Sequence, residues 1–245
     1  MATFVLVPGF WLGAWVWEEV AGALRAQGHR VYPVTLTGLA ERAGEATPEV
    51  DVHTHVRDVL EVVEGGDLRE VVLVAHSGAT VPVTGAADRV PGRLARVVYL
   101  DTAPLPSGMA QLEFVGPEER AEVERRVAEE GRGWLIPPPP FDPSAEPEAL
   151  AGLEEGMLAL LRERATPEPV GAARVGLVRP DPVPVLPRTL VACSMPLAVV
   201  RRRIEEGDPA LAPLAGPEWD FVEFPTGHWP MLSRPAELAE LLGAL

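Results

Sequence analysis

VVLVAHSGA, residues 71–79, decides the fold of this chain. Its first five residues, Val71–Ala75, are apolar and mostly β-branched, which is typical of a strand buried on both faces of a parallel sheet. Ser77 follows the strand, and a helix is predicted over Ala79–Val90, with Pro82 in its first turn, where a missing N–H does no harm. A serine between a buried strand and a helix predicts a strand–turn–helix unit within an α/β sheet.

The same alternation continues on both sides of this stretch. Apolar runs predict further strands, and apolar residues at helical spacing predict helices between them. The strands are predicted at Thr3–Val7, Arg30–Leu36, Val97–Leu100, Thr189–Cys193 and Trp219–Phe224. The helices are predicted at Trp17–Gln27, His53–Glu64, Leu197–Glu206 and Pro235–Leu245. This order indicates βαβ units, and therefore an α/β fold with a doubly wound, mostly parallel sheet.

The alternation stops between residues 107 and 187, where no buried-strand signal occurs. This region contains two acidic helix candidates and two proline-rich segments, at Pro117–Glu130, Ala145–Arg164, Ile136–Phe141 and Arg179–Pro187. Proline-rich segments are stiff, extended connectors. The sequence thus predicts an α/β core, residues 1–106 and 188–245, with a helical cap inserted at 107–187. We hypothesise that the cap is a lid that controls access to the core.

Composition and charge narrow the classes of function. The 245 residues are 47% hydrophobic and 23% charged, as in a packed globular protein. With 21 basic against 36 acidic residues the formal net charge is −15, so we expect no binding to nucleic-acid phosphates. No run of about 18 apolar residues predicts a membrane span. The start of the chain lacks the basic segment of a signal peptide, so the expected location is cytoplasmic.

Metal, cofactor and disulfide chemistry is not indicated. The single Cys193 excludes an internal disulfide and a cysteine-based metal cage. No pair among the five histidines has metal-ligand spacing with a nearby carboxylate, so we expect no metal and no cofactor. The expected partner is a small-molecule substrate, and the sequence does not define the oligomeric state. The absence of lysine and the abundance of Ala and Pro suggest a GC-rich bacterial genome.

Ser77 is the candidate nucleophile. A serine in a strained turn between strand and helix needs small neighbours two positions before and after it, and here these are Ala75 and Ala79. The turn reads A-H-S-G-A where G-x-S-x-G is usual, which keeps the residues small but gives up backbone freedom. The alternative is a serine that only caps the following helix. We expect His76 to pack beside this turn.

His228 is the candidate base. It follows the last predicted strand, and loops at the carboxyl ends of parallel strands meet over one edge of the sheet, where ligands bind. His228 can therefore reach Ser77 and remove its proton. The alternative is a loop histidine without a partner. His29, His53 and His55 lie near helix ends, where solvated or capping roles are expected.

Two backbone N–H groups are candidates for an oxyanion hole. Gly78 supplies one, directly after Ser77. The loop Pro8–Trp11 supplies the other, since Gly9 lets the backbone turn and the Phe10 N–H can then point into the site. The alternative for Pro8-Gly9 is an ordinary turn.

Five stretches together carry a family resemblance. They are FVLVPGFWLGAWVW (4–17), VTLTGLAER (34–42), LVAHSGA (73–79), VVYLDTAPLPSG (97–108) and TGHWPMLSRPAELAELL (226–242). The chain resembles the α/β-hydrolase fold superfamily, in particular the branch of plant methylesterases, hydroxynitrile lyases and bacterial esterase-like relatives. The resemblance implies Ser77 as nucleophile, His228 as general base and then acid, and Phe10 and Gly78 as oxyanion donors.

The chain departs from this family at the acid and in the oxyanion loop. The acid of the family commonly follows the strand equivalent to Thr189–Cys193, where this chain reads SMPL (194–197) and has no carboxylate. Asp101 is the substitute, because it ends the strand Val97–Leu100 and some hydrolases of this fold place the acid after that strand instead. There it can accept the His228 Nδ1–H. Alternatively Asp101 caps its own turn, which leaves a Ser–His dyad or a degenerate site. The family's loop histidines are replaced by Pro8 and Leu12.

Three functions remain open, and the first is hydrolysis of a small, hydrophobic carboxylic ester, thioester or lactone through an acyl-enzyme. The second is a non-hydrolytic conversion by a cyclase, isomerase or lyase. The hydroxynitrile lyases carry a lysine after the catalytic histidine where this chain has Trp229, which disfavours a lyase. The third is a ligand-binding module with an inactive site. Gly9, Trp11 and Trp229 are the candidate substrate-binding residues, and with Phe10 they predict an apolar pocket.

Overall fold

Six parallel strands form one central sheet. The computed structural model describes all 245 residues. Its strands are β1 (Thr3–Val7), β2 (Arg30–Pro33), β3 (Val71–His76), β4 (Leu94–Leu100), β5 (Leu135–Ile136), β6 (Glu168–Pro169), β7 (Arg188–Ala192) and β8 (Trp219–Glu223). The order in the sheet is β2-β1-β3-β4-β7-β8, and β5 and β6 form a separate antiparallel pair. The predicted α/β fold with a parallel sheet is confirmed.

Helices cover both faces of this sheet. The helices of the chain are α1 (Glu18–Ala26), α2 (Val52–Leu60), α3 (Thr80–Arg89), α4 (Gln111–Phe114), α5 (Pro117–Glu129), α6 (Glu155–Arg164), α7 (Gly171–Arg174), α8 (Leu197–Glu205), α9 (Pro230–Ser233) and α10 (Pro235–Ala244). Helices α2, α3 and α8 contribute to a core of 31 buried residues on one face, and α1 and α10 to a core of 26 on the other. None of the helices combines the length and apolar character needed to cross a membrane.

The central strand β3 shows why its sequence is apolar throughout. Its side chains alternate between the two faces, so Leu73 and Ala75 lie in one core while Val72 and Val74 lie in the other. Each of these residues is at most 6% exposed. A strand buried on both sides has no solvent face for a polar residue, so the apolar run locates the middle of the sheet.

One predicted helix is shorter than expected. Ala145–Arg164 was predicted as continuous, but only its second half is helical, as α6. Gly152 has φ +80°, and Pro147 has no N–H to donate to a helix. The residues before α6 therefore form turns. The strand predicted at Arg30–Leu36 likewise ends at Pro33.

The segment between β4 and β7, residues 101–187, does not build a large core of its own. Only five buried residues form a separate cluster there, namely Leu112, Val127, Ile136, Val170 and Ala173. Others pack into the two cores of the sheet, such as Phe141 and Leu161 on one face and Leu177 on the other. The division at residues 107 and 187, and the lid, remain predictions.

Candidate active site

Ser77 occupies a strained turn at the carboxyl end of β3. Its φ is +51°, a conformation that costs a non-glycine residue energy and is stabilised here by the strand before it and the helix after it. Ala75 and Ala79 are at most 1% exposed, so strand and helix approach closely on either side. The turn presents the half-buried Ser77 hydroxyl at the edge of the sheet.

Three side chains from three strand ends form a hydrogen-bonded chain. The Oγ of Ser77 lies 2.8 Å from Nε2 of His228, and Nδ1 of His228 lies 2.6 Å from Oδ2 of Asp101. These residues follow β3, β8 and β4, respectively, and are brought together because parallel strands direct their carboxyl ends to one edge. The three predicted residues therefore lie in the order that proton transfer from serine to histidine requires.

Asp101 is held as an ionised acceptor. Its side chain is 5% exposed and its φ is +49°. Burial by itself raises the pKa of this carboxyl, but the hydrogen bond and charge of His228 and the bonds from Ser194 and Cys193 outweigh it, so the pKa lies below its usual value. Oδ1 accepts the backbone N–H groups of Cys193 and Ser194 at 3.0 and 2.9 Å. Both carboxylate oxygens therefore accept hydrogen bonds, and the negative charge of Asp101 lies next to His228.

Ser194 stands where the family's acid commonly lies, at the end of β7. Its hydroxyl donates to Oδ2 of Asp101 at 2.5 Å, the same oxygen that accepts from His228. The sequence by itself indicates only that this position lacks a carboxylate. In the structure the serine supports the carboxylate on the neighbouring strand instead.

His76 connects two loops of the site. Its Nδ1 accepts the N–H of Gly9 at 3.3 Å, and its Nε2–H donates to the carbonyl oxygen of His228 at 2.7 Å. Complete burial and the neighbouring charge of His228 lower the pKa of His76 to about 3, so its ring is neutral. A neutral ring that donates on one side and accepts on the other fixes the loop after β1 relative to the loop after β8.

The loop that carries the Phe10 N–H packs closely against the turn that carries the Gly78 N–H. A Cβ on Gly78 would lie 2.5 Å from Cδ1 of Phe10, and a Cβ on Gly9 would lie 2.7 Å from that of Ser77. Both glycines therefore permit a close approach of the loop to the turn. The N–H of Phe10 donates to no group of the protein. Gly78 lies in the first turn after β3, where N–H groups lack helical partners.

A cavity of about 620 Å³ opens over these groups. Ser77, Asp101 and His228 lie in its wall, together with Phe10, Trp11, Gly78 and Trp229. Most of the remaining lining is apolar and includes Leu112, Val123, Ile136 and Leu214. Gly9 is not part of the wall; its close contact with Ser77 gives it a structural position behind the site.

The segment between β4 and β7 binds both loops of the site. Trp11 donates its backbone N–H to Oε2 of Glu168 at 3.2 Å and its indole N–H to the carbonyl of Ile136 at 3.1 Å. Its own carbonyl accepts the N–H of Thr166 at 2.9 Å. On the other side of the site, the N–H of His228 donates to the carbonyl of Ala149 at 2.6 Å.

The sequence does not identify Glu168 or His55 as residues of the site. Glu168 is fully buried, and His55, expected to be solvated or to cap a helix, is 1% exposed within α2. That expectation for His55 is wrong because α2 packs this residue inward, against the carbonyl of Thr37. Glu168 stands between Pro167 and Pro169 in the sequence, and no local pattern assigns it a partner. No group of three or more His, Cys, Asp or Glu residues is arranged to hold a metal ion.

The model of the family described as "Alpha/beta hydrolase family" matches residues 4–241. This match spans all but the first residue of the sheet, the segment between β4 and β7 and all the candidate site residues. The chain belongs to the alpha/beta hydrolase family. The family resemblance of the five sequence stretches is thereby confirmed.

Curated relatives and solved structures agree with this assignment. The chain is 33% identical over 263 aligned positions to the carbendazim hydrolyzing esterase of Nocardioides sp. (strain SG-4G), with 100% of both chains covered. It is 34% identical to methylesterase 4 of Arabidopsis thaliana over 139 positions, which cover 54% of this chain and 48% of the relative. An extracellular alpha/beta-hydrolase from a Paenibacillus species has the same fold, with a TM-score of 0.80, 21% identity and coverage of 99% and 98%.

The names of these relatives bear on the class of reaction. The two curated relatives are an esterase and a methylesterase, and a probable esterase of rice (Oryza sativa) is 27% identical over 98% of this chain. Full-length similarity to proteins of this kind supports a carboxylic ester hydrolase.

Proposed function

We propose that the chain is a serine hydrolase that cleaves a small, hydrophobic carboxylic ester, thioester or lactone. The observation that carries the proposal is the hydrogen-bonded chain Ser77–His228–Asp101 in the wall of an apolar cavity. The esterase relatives favour the same reaction. The same geometry supports the roles proposed for the individual residues.

Acylation begins at Ser77. When the His228 proton is on Nδ1, where Asp101 accepts it, Nε2 is free to accept the proton of the serine hydroxyl. As Oγ attacks the carbonyl carbon, the proton passes to Nε2 and the carbonyl oxygen becomes an oxyanion. His228 then gives this proton to the leaving oxygen or sulfur, and the acyl group remains bonded to Ser77.

The oxyanion needs donors that are already in place. The N–H groups of Phe10 and Gly78 supply them, since the loop and the turn that carry them are in contact and both line the cavity. A fixed pair of donors stabilises the charge without reorganisation during the reaction.

Deacylation repeats the proton transfers with water. His228 takes a proton from a water molecule, the hydroxide attacks the acyl carbon, and the same proton returns to Oγ of Ser77 as the acid leaves. Asp101 stabilises the imidazolium that forms in each half-reaction. Its low pKa keeps it ionised and an acceptor throughout.

The cavity favours neutral, hydrophobic substrates. Its volume of about 620 Å³ accommodates an ester with an aromatic or aliphatic group on each side, and its walls are mainly apolar. The cavity wall contains three glutamates, Glu119, Glu122 and Glu146, but only two arginines, Arg126 and Arg203. This excess of acidic side chains and the net charge of −15 both disfavour anionic substrates.

A small fluorophosphonate tests the proposal directly. Intact-mass measurement of the parent chain should show one stoichiometric adduct, and Ser77→Ala should show none. A third sample, Ser194→Ala, keeps the nucleophile and removes a different hydroxyl beside the site, so it should still be labelled. Absence of an adduct in the parent would refute an activated serine and turn attention to the non-hydrolytic and binding alternatives.

A substrate panel then defines the class. Short-chain, aromatic and lactone esters should be hydrolysed in preference to esters that carry a second carboxylate. Carbendazim belongs in the panel because a full-length relative is named for its hydrolysis. Equal rates on neutral and anionic esters would contradict the proposed selectivity.

A further inference from the structure

We propose that Glu168 is a positioning residue for the oxyanion hole, which it supports by holding the Trp11 N–H while sharing a single proton with His55. The inference rests on the proposed function. Glu168 does not line the cavity and does not touch the reacting atoms, so its effect on the reaction passes through the backbone of Trp11 to Phe10.

The first observation is the conformation of the loop. Trp11 has φ +68°, which tryptophan adopts only when its surroundings require it. Oε2 of Glu168 accepts its N–H, Thr166 donates to its carbonyl and Ile136 accepts its indole N–H. The side-chain bond to Glu168 is the one that reaches the peptide unit between Phe10 and Trp11, next to the proposed donor.

The second observation is the unused oxygen of Glu168. Oε1 is fully buried and has no hydrogen-bond partner, which is costly for a carboxylate. It faces Nδ1 of His55 at 3.8 Å. The Nε2 of His55 lies 2.9 Å from the carbonyl of Thr37, and a carbonyl can only accept, so Nε2 carries a proton.

A single proton between Oε1 of Glu168 and Nδ1 of His55 therefore gives both atoms a hydrogen-bond partner. In a neutral His55 whose proton is on Nε2, Nδ1 has a free lone pair, and a protonated Oε1 can donate to it. A movement of about 0.8 Å brings the two atoms to an ordinary hydrogen-bond distance. Without this proton a carboxylate and a lone pair would face each other in the protein interior.

The electrostatic surroundings agree with a neutral pair. Burial raises the pKa of Glu168 to about 8, against a smaller lowering by the Trp11 N–H. Burial also lowers the pKa of His55. The charged groups near His55 are Asp51, Asp58 and Arg42, and the last two form an ion pair with each other at 3.1 Å.

The consequence for the reaction is a fixed donor. The Phe10 ring lies against Gly78, so a change in the backbone at Trp11 moves the loop relative to the serine turn. Displacing a preorganised group by about 1 Å can reduce a rate by about 10²-fold. Phe10 and Trp11 form only part of the cavity wall and the rest of the lining stays in place, so KM should change less than kcat.

The test compares two variants of Glu168 in the full chain. Glu168→Gln keeps an acceptor for Trp11 and supplies an N–H for His55, so it should retain at least about a third of the parent kcat. Glu168→Leu removes both bonds and should lower kcat about 10- to 100-fold, with KM within about twofold. Glu163→Leu, at an exposed site on α6, is the matched control and should behave as the parent.

The outcomes separate this inference from the proposed function. A parent chain without esterase activity or Ser77 labelling would overturn the proposed function. An active parent with a folded Glu168→Leu variant of equal kcat would overturn the role of Glu168 alone. A Glu168→Gln variant as impaired as Glu168→Leu would also overturn it, because the amide satisfies the same two partners.

The unaltered chain provides a measurement that does not depend on the folding of a variant. In ¹⁵N-labelled protein the amide resonance of Trp11 should shift with pH, with a midpoint well above the usual glutamate value of about 4.3. A Trp11 resonance that stays constant between about pH 5 and about pH 9 would overturn the shared proton.

Discussion

Asp101→Asn should abolish most of the activity by changing the tautomer of His228. In the parent, Oδ1 of Asp101 accepts two backbone N–H groups, from Cys193 and Ser194. The asparagine oxygen must keep that position, since its NH₂ group would otherwise face two donors. The NH₂ group then faces Nδ1 of His228, which has to become an acceptor and move its proton to Nε2.

The size of the effect follows from this reversal. A protonated Nε2 cannot accept the proton of Ser77, 2.8 Å away, so the base is lost although every side chain stays in place. A serine hydrolase with the wrong histidine tautomer loses about 10⁴ in kcat. At about 1.36 kcal/mol per factor of ten, this corresponds to about 5.4 kcal/mol of transition-state stabilisation.

The assay is the steady-state hydrolysis of a neutral ester by the parent and Asp101→Asn, with fluorophosphonate labelling rates as a second readout. Asp67→Asn, at an exposed aspartate remote from the cavity, is the control and should match the parent. Circular dichroism should show the same fold in all three proteins. A folded Asp101→Asn variant with kcat within about tenfold of the parent would refute the assignment of Asp101 as the supporting acid.

Three further predictions concern the residues around the hydrogen-bonded Ser77, His228 and Asp101. Ser194→Ala removes one of the two donors to Oδ2 of Asp101 and should lower kcat about tenfold with KM unchanged; an unchanged kcat would show that the bond is dispensable. Gly9→Ala places a Cβ 2.7 Å from that of Ser77, which should cost about 1–3 kcal/mol of unfolding free energy in a urea titration and reduce the labelling of Ser77; full stability would mean that the loop can move away. The contribution of Glu168 to the unfolding free energy should fall as the pH rises from about 4.5 to about 8, because in this window the folded chain keeps the Glu168 proton and the unfolded chain releases it, and both states are protonated below the window. The slope is at most about 1.4 kcal/mol per pH unit and should be absent in Glu168→Gln, so parallel stability curves for the two proteins would contradict the assignment.

The sheet and the position of the serine could be predicted from the sequence for one physical reason. A strand buried on both faces must be apolar throughout, and Val71–Ala75 meets this condition so closely that β3 extends it by only one residue. The residue after such a strand is placed at the carboxyl edge by the chain direction alone. Ser77, Asp101 and His228 could therefore be assigned to one edge without any knowledge of side-chain contacts.

Two predictions were wrong because a local sequence pattern did not decide the structure. In one case the backbone properties of proline and glycine decided it, and in the other the packing of distant residues did. Ala145–Arg164 has helical spacing, yet Pro147 and Gly152 interrupt it before α6 begins. His55 has no sequence feature that distinguishes a buried histidine from a solvated one. Its partner Glu168 contacts a loop 157 positions away, and such a contact is decided by packing that no local window contains.

The hydrogen bonds from the inserted segment to the Trp11 loop have a consequence for altering the specificity of this enzyme. The same segment provides the cavity wall around Leu112, Val123 and Ile136, and it holds Trp11 through the backbone of Ile136 and Thr166 and the side chain of Glu168. Substitutions at Leu112 or Val123 should change which esters fit, whereas substitution of Glu168 should slow all esters alike. A mutant library confined to 111–126 would thus explore new substrates with the proposed oxyanion donors undisturbed, whereas one that includes position 168 should lose turnover before it gains selectivity.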